Sequence, residues 1–159
     1  MTASHRSTPQ GVSGRDTSTA AAPPITRRVL AGVVGGLAGG LVFGAMMATM
    51  GMFPMIASLV GSASAAVGFL VHLVISVLVG LALTVPGGGL LAGSFLRAAA
   101  IGLAYGALWW VLGPLLIMPA MMGMPVFAVD AASVMSLIGH LLYGLVLGLV
   151  AAAVLRRRG

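Results

Sequence analysis

Residues 29–50 read VLAGVVGGLAGGLVFGAMMATM, and this stretch sets the expectation for the whole chain. None of its side chains ionises. At about 1.5 Å rise per residue, a helix of this length crosses a hydrocarbon core of about 30 Å. Gly32, Gly36, Gly40 and Gly44 recur at every fourth position and Ala48 follows, so one face of the helix is almost bare of side chains. Lipid supplies no hydrophobic drive between helices. A bare face instead lets backbones come close and gain dispersion contacts. The stretch therefore reads as a first transmembrane helix buried against neighbours, with Gly35 and Gly39 widening the same groove.

The rest of the chain agrees. It has 159 residues, is 60% hydrophobic, and carries eight basic and two acidic side chains, with a mean hydropathy of +1.15. That is far outside the soluble range and indicates an integral membrane protein with the lipid bilayer as its main partner. The formal charge of +6 comes wholly from arginines in tails or beside apolar runs. It reads as topology information and headgroup contact, not nucleic-acid binding. There is no cysteine, which excludes disulfides, thiolate metal sites, iron–sulfur clusters and covalent c-type haem. Arginine to the exclusion of lysine, with abundant Ala, Gly and Val, suggests a GC-rich bacterial genome.

Boundaries follow from composition. Residues 1–26 are rich in Ser, Thr, Ala and Pro and poor in large apolar side chains, and are expected to form a disordered cytoplasmic tail. Hairpin 1 spans 27–85, with membrane helices at about 29–50 and 65–85. A cytoplasmic turn at 86–94 opens with Pro86-Gly87-Gly88-Gly89, whose missing donor and flexible glycines favour chain reversal. Hairpin 2 spans 95–159, with helices at about 95–118, where Pro114 should kink the last turns, and 131–155, capped by Asp130 or Ser133. Trp109 and Trp110 either cover the small-residue groove at Gly102 and Gly106 or sit at the membrane interface. The fold class is thus an all-α, polytopic transmembrane four-helix bundle built from two tandem helical hairpins.

Thr26-Arg27-Arg28 suggests an export signal and Ala63-Ser64-Ala65 a cleavage site, but three more apolar runs follow, so uncleaved insertion is expected. Arg6, Arg15, Arg27 and Arg28, then Arg97, then Arg156, Arg157 and Arg158 all fall on one side of the membrane, which puts both termini in the cytoplasm of a bacterial inner membrane. The outer connections, GMFPMIASLVGSAS (51–64) and PAMMGMPVFAV (119–129), are unusually greasy. They are expected to lie in the interface, fold back over the bundle, or contact another subunit in a homo-oligomer or a membrane-protein partner.

Aligning GFLVHLVISVLVG (68–80) with SLIGHLLYGLVLG (136–148) superposes His72 on His140 and Gly80 on Gly148. Gly68 and Ser76 in the first segment meet Ser136 and Gly144 in the second. Upstream, Met50-Gly51-Met52 before Pro54 matches Met122-Gly123-Met124 before Pro125. The pattern suggests a parallel internal repeat about an axis along the membrane normal, with both imidazoles at one depth.

An imidazole inside a span must be paired or functional, which makes His72 and His140 the candidate site. The leading expectation is structural: hydrogen bonds to Ser76, Ser136, Tyr143 or a free carbonyl near a glycine hold the hairpins together. Three functional alternatives remain. One is a bis-histidine haem b between the second and fourth spans. Another is Cu(I) or a similar soft metal bound by His72 and His140 with Met50, Met52, Met122 and Met124, in a membrane redox protein. The third is a small-solute or proton pathway. No carboxylate-oriented base accompanies any serine, and the Gly-rich turn lacks the Lys and Ser/Thr of a phosphate loop, so a binding, assembly or subunit role without catalysis is expected.

Overall fold

The computed structural model describes residues 22–157. The tail expected over 1–26 lies outside the described residues as far as residue 21, as do Arg158 and Gly159. Among the described residues all regular structure is helical: α1 (Ile25–Thr49), α2 (Phe53–Ser58), α3 (Ala65–Leu91), α4 (Phe95–Leu112), a π-helical turn (Gly113–Ile117), α5 (Met118–Met121) and α6 (Ala131–Arg156). Four segments are long and apolar enough to cross a membrane: α1, α3, the continuous run Phe95–Met121, and α6. This is the architecture of a multi-pass membrane protein.

The helix ends follow local chemistry. Ser64 and Ser94 accept hydrogen bonds from the backbone N–H groups of Val67 and Arg97. Asp130 and Ser133 form a reciprocal capping box at the start of α6. Helix α1 begins at Ile25, so Ile25 and Thr26 belong to its first turn and not to the tail.

The turn expected at 86–94 is much shorter. Helix α3 runs through Pro86 and the three glycines to Leu91, leaving residues 92–94 as the connection. Proline withholds one donor, from the Ala82 carbonyl, while the Arg28 guanidinium donates to the Val85 carbonyl at 3.1 Å. Gly88 is buried under the aliphatic stem of Arg28, where an added Cβ would lie 2.8 Å from Cγ. The glycine there makes room for a neighbour and does not reverse the chain. Pro114, by contrast, acts where expected, as the α-helix widens into a π-turn at Gly113.

Helix α1 lies between α3 and α6, α4 packs on α6, and α3 and α4 touch only sparingly. The glycine faces set this order. Gly36 and Gly40 meet α3, with added Cβ atoms 2.6 Å from the Ser76 carbonyl and 2.7 Å from Ser76 Cβ. Gly32 meets Thr84 and Leu81, Gly44 meets the His72 ring, and Gly80 faces the Gly32 carbonyl in return. Gly35 and Gly39 do not widen that groove. They form a second one, rotated toward α6, where they meet Leu147 and Tyr143, because each precedes a residue of the first stripe by one position, about 100° around the helix at 3.6 residues per turn. Gly102 and Gly106 on α4 press on the Gly144 and His140 carbonyls of α6, and Gly148 presses on the Ala98 carbonyl. Gly68 is covered by the Phe53 carbonyl of α2, which folds back over α3.

The start of α1 and the end of α6 meet at one face, where the Arg27 guanidinium donates to the Arg157 carbonyl. Arg156 donates to the Gly93 carbonyl at 3.1 Å and stands 4.9 Å over the Phe95 ring. At the opposite face α2 is partly buried through Ile56 and Ala57. The second connection instead is exposed at Met121, Met122, Met124, Phe127 and Val129. Leu70, Val74 and Leu78 form an outward apolar stripe on α3, suited to lipid contact.

Gly144→Leu should destabilise the protein by more than about 3 kcal/mol, the upper range for overpacking, because the opposing atoms are backbone and cannot swing away. Gly89→Leu, at a site with nothing within 4 Å, should leave the thermal midpoint in detergent within a degree or so of the parent, roughly the neutral surface range. The comparison is read by tryptophan fluorescence on heating.

Candidate functional site

Between the two hairpins, at the end opposite the termini, lies a cavity of about 360 Å³. Phe43 and Met47 of α1 and Ser136, His140 and Tyr143 of α6 contribute to its back wall. His72, Ile75 and Val79 of α3 stand on one side, and Trp109 of α4 with Gly113 and Ile117 of the π-turn on the other. Met52, Met55 and Ile56 from the α2 region and Met118, Met124 and Pro125 from the second connection form its roof. Ile75 of α3 and Ile117 of the π-turn are exposed at its edge, as are Met55, Met124 and Ala128 in the roof, so the cavity is only partly enclosed.

The cavity follows from local sequence. Pro114 forces the π-turn that carries this segment away from α3. Pro119 cannot donate to the Leu115 carbonyl. The Phe127 N–H takes that role at 2.7 Å, holding the second connection against the π-turn. Phe127 does so at a φ of 57°, a left-handed conformation that costs a bulky residue of order 1–3 kcal/mol. On the floor, Tyr143 donates to the Ser76 carbonyl at 2.6 Å and Tyr105 to the Val79 carbonyl at 2.9 Å. Both tyrosines thus tie α3 to the other hairpin.

The two histidines line this one cavity, each tethered to a backbone carbonyl. His72 Nε2 donates to the Gly40 carbonyl of α1 at 2.9 Å, through the window left by the side-chain-free positions Gly40 and Gly44. His140 Nδ1 donates to the Ser136 carbonyl at 2.8 Å, with Ser136 Oγ at 3.3 Å. A carbonyl only accepts, so the proton sits on Nε2 of His72 and on Nδ1 of His140. In the neutral ring the other nitrogen is a bare acceptor. Neither His72 Nδ1 nor His140 Nε2 has a hydrogen-bond partner among the described residues. The Phe43 ring stands edge-on to both imidazoles, at 5.4 and 4.8 Å between centroids.

The bond from His72 to Gly40 lies within the first hairpin and the bond from His140 to Ser136 within a single helix, so it is the tyrosines that bridge the hairpins. Of the four methionines proposed as ligands, Met52 and Met124 line the cavity, whereas Met50 and Met122 are exposed outside it. Met47, Met55 and Met118, which belong to the same methionine-rich outer part of the sequence, line it as well. Ser76 and Ser136 also line it. Gly32, Gly36, Gly40, Gly44, Gly68, Gly80, Gly102, Gly106, Gly144 and Gly148 serve in helix contacts. Trp110 donates to the Ser133 carbonyl at 2.7 Å, and Trp109 packs against the cavity with its Nε1 buried and unpartnered.

The arrangement tests the cofactor alternatives. A haem iron reached through the usual Nε2 would have to break the His72–Gly40 bond. The arginines of the described residues all lie at the opposite face, so none can pair with propionates. Among the described residues no three His, Cys, Asp or Glu side chains gather in metal-binding geometry, which leaves thioethers alone to complete any ion held by the two imidazoles.

Tyr143→Phe should cost about 1 kcal/mol, the net value of one buried hydrogen bond, seen as a lowered denaturation midpoint; Tyr105→Phe, at a half-exposed hydroxyl, should cost less. Protein-family models, curated proteins and solved structures all give no match to this chain, so its own geometry is what bears on its function.

Proposed function

We propose that this chain is an intramembrane binding protein, one that holds a lipophilic small molecule between its hairpins and catalyses no reaction. The observation that carries the reading is the cavity itself. It is apolar-walled, and its volume of about 360 Å³ falls in the range of small-molecule sites, roughly 300–1,000 Å³. The exposure of Ile75 and Ile117 at its edge supports an opening between α3 and the π-turn, toward the region a bilayer would occupy. A molecule dissolved in lipid could enter there without crossing water.

The wider reading places the protein in a bacterial inner membrane, with a disordered cytoplasmic tail and both termini cytoplasmic. Its support is the collection of Arg27, Arg28, Arg97, Arg156 and Arg157 at the terminal face. A duplicated hairpin is supported by the two matched glycines after a helix end, Gly51 and Gly123, at φ of 65° and 66°. The halves differ above them, since α2 occupies only the first connection. The exposed apolar surface of residues 121–129 is suited to lipid, a second copy or a membrane-protein partner.

Binding is tested with a brominated aromatic hydrocarbon, which quenches nearby indoles. Saturable quenching is expected from Trp109 beside the cavity. It should be lost in Gly113→Leu, where the new side chain meets only His140 Nε2, 3.9 Å from its Cβ, and so plugs the space without clashing with backbone. Quenching that rises linearly and ignores the plug would sink the reading. A reporter joined after Gly159 should be active only in the cytoplasm, and activity outside it would overturn the orientation.

A further inference from the structure

We propose that the occupant is a hydroxylated aromatic molecule, a phenol or hydroquinone head on an apolar tail, whose O–H groups donate to His72 Nδ1 and His140 Nε2. This rests on the reading of the cavity as a lipophilic site and specifies what that site selects.

The polar groups of the wall leave little choice. Ser76 Oγ donates to the His72 carbonyl and Tyr143 spends its proton on the Ser76 carbonyl, while Ser136 Oγ accepts from His140 Nδ1 and keeps its own O–H. Ser133 is committed to Asp130 in the capping box. Trp109 Nε1, a donor without a partner, is itself sealed from any probe. What remains unsatisfied at the wall is mainly acceptors, the two imidazole lone pairs, beside the single Ser136 hydroxyl donor. A ketone, ester or ether could take that one donor but would still meet both imidazole lone pairs with lone pairs. A hydroxyl instead supplies the missing donor, and burying an unmet acceptor is costly enough for a site like this to discriminate strongly.

The apolar surface fits a ring. The Phe43 edge, the Trp109 indole and the Met47 and Met118 thioethers all pack favourably on an aromatic face. Both imidazoles rest against the single Phe43 ring, within reach of the two ends of one small aromatic molecule. The opening between α3 and the π-turn gives an apolar tail its way out. A single soft ion shared by the imidazoles would leave most of the 360 Å³ empty, since a water-sized species takes about 30 Å³.

The test uses an alkyl-hydroquinone and its dimethyl ether, titrated anaerobically into the full chain in detergent and followed by tryptophan quenching. The diol should bind at least about tenfold tighter than the ether, the value of one to two buried hydrogen bonds, and the gap should close in His72→Phe/His140→Phe. Should that variant misfold, imidazole nitrogen shifts in the parent protein give a second measure. The His72 Nδ1 and His140 Nε2 resonances should move from bare toward hydrogen-bonded values with the diol and stay put with the ether. Equal binding of diol and ether would overturn the donor requirement while leaving the lipophilic cavity standing. Binding of neither would overturn both. Stoichiometric Cu(I) that displaces the diol and is lost in the histidine variant would assign the lone pairs to a soft metal and overturn the proposal.

Discussion

Where two helices of this bundle run closest, a glycine on one faces a backbone carbonyl on the other, and the rest of the molecule is arranged around those contacts. Gly36 lies against the Ser76 carbonyl, Gly39 against that of Tyr143, Gly102 against that of Gly144, and Gly148 against that of Ala98. Any side chain at these points would collide with atoms that cannot rotate out of the way. The gain is dispersion between backbones and weak Cα–H···O contacts, the currency left to helices when their surroundings are as apolar as their side chains. Since glycine approaches are not shared equally among the helices, they also decide who neighbours whom.

Helix α1 has two glycine faces and therefore two close partners, α3 and α6. Helix α4 spends its glycines on α6. Nothing comparable joins α3 to α4, and the two part as the chain leaves their short connection. The cavity is the volume this asymmetry leaves, bordered at one end by the π-turn after Pro114 and partly roofed by α2 and the second connection. Bulky residues such as Phe43, Met47 and Trp109 collect around it. The histidines fall there too: each sits one turn from small residues, where a carbonyl is exposed enough to orient the ring and space remains for its other nitrogen.

Much of the framework was legible in the sequence. Four spans, the capping role of Asp130 and Ser133, the backbone-to-backbone use of Gly102 and Gly106, and a free carbonyl near a glycine as partner for His72 all followed from spacing and polarity. Local rules misled where a tertiary contact gave a residue another purpose. Pro86 and its glycines look like a stop signal, yet Arg28 reaches across from α1 to serve the Val85 carbonyl and lies over Gly88. Met50 and Met122 share a motif with Met52 and Met124, but only the residue after each left-handed glycine reaches the cavity wall.

By itself the sequence determined what must be buried in lipid and which faces can approach, because span length, missing charge and the fourfold glycine repeat are properties of single helices. Only the tertiary structure decided that Gly35 and Gly39 serve a different neighbour from Gly36 and Gly40, which of the outer methionines reach the cavity wall, and which imidazole nitrogen is left bare. Those outcomes depend on where a second backbone places its carbonyls, and no periodicity within one helix carries that information.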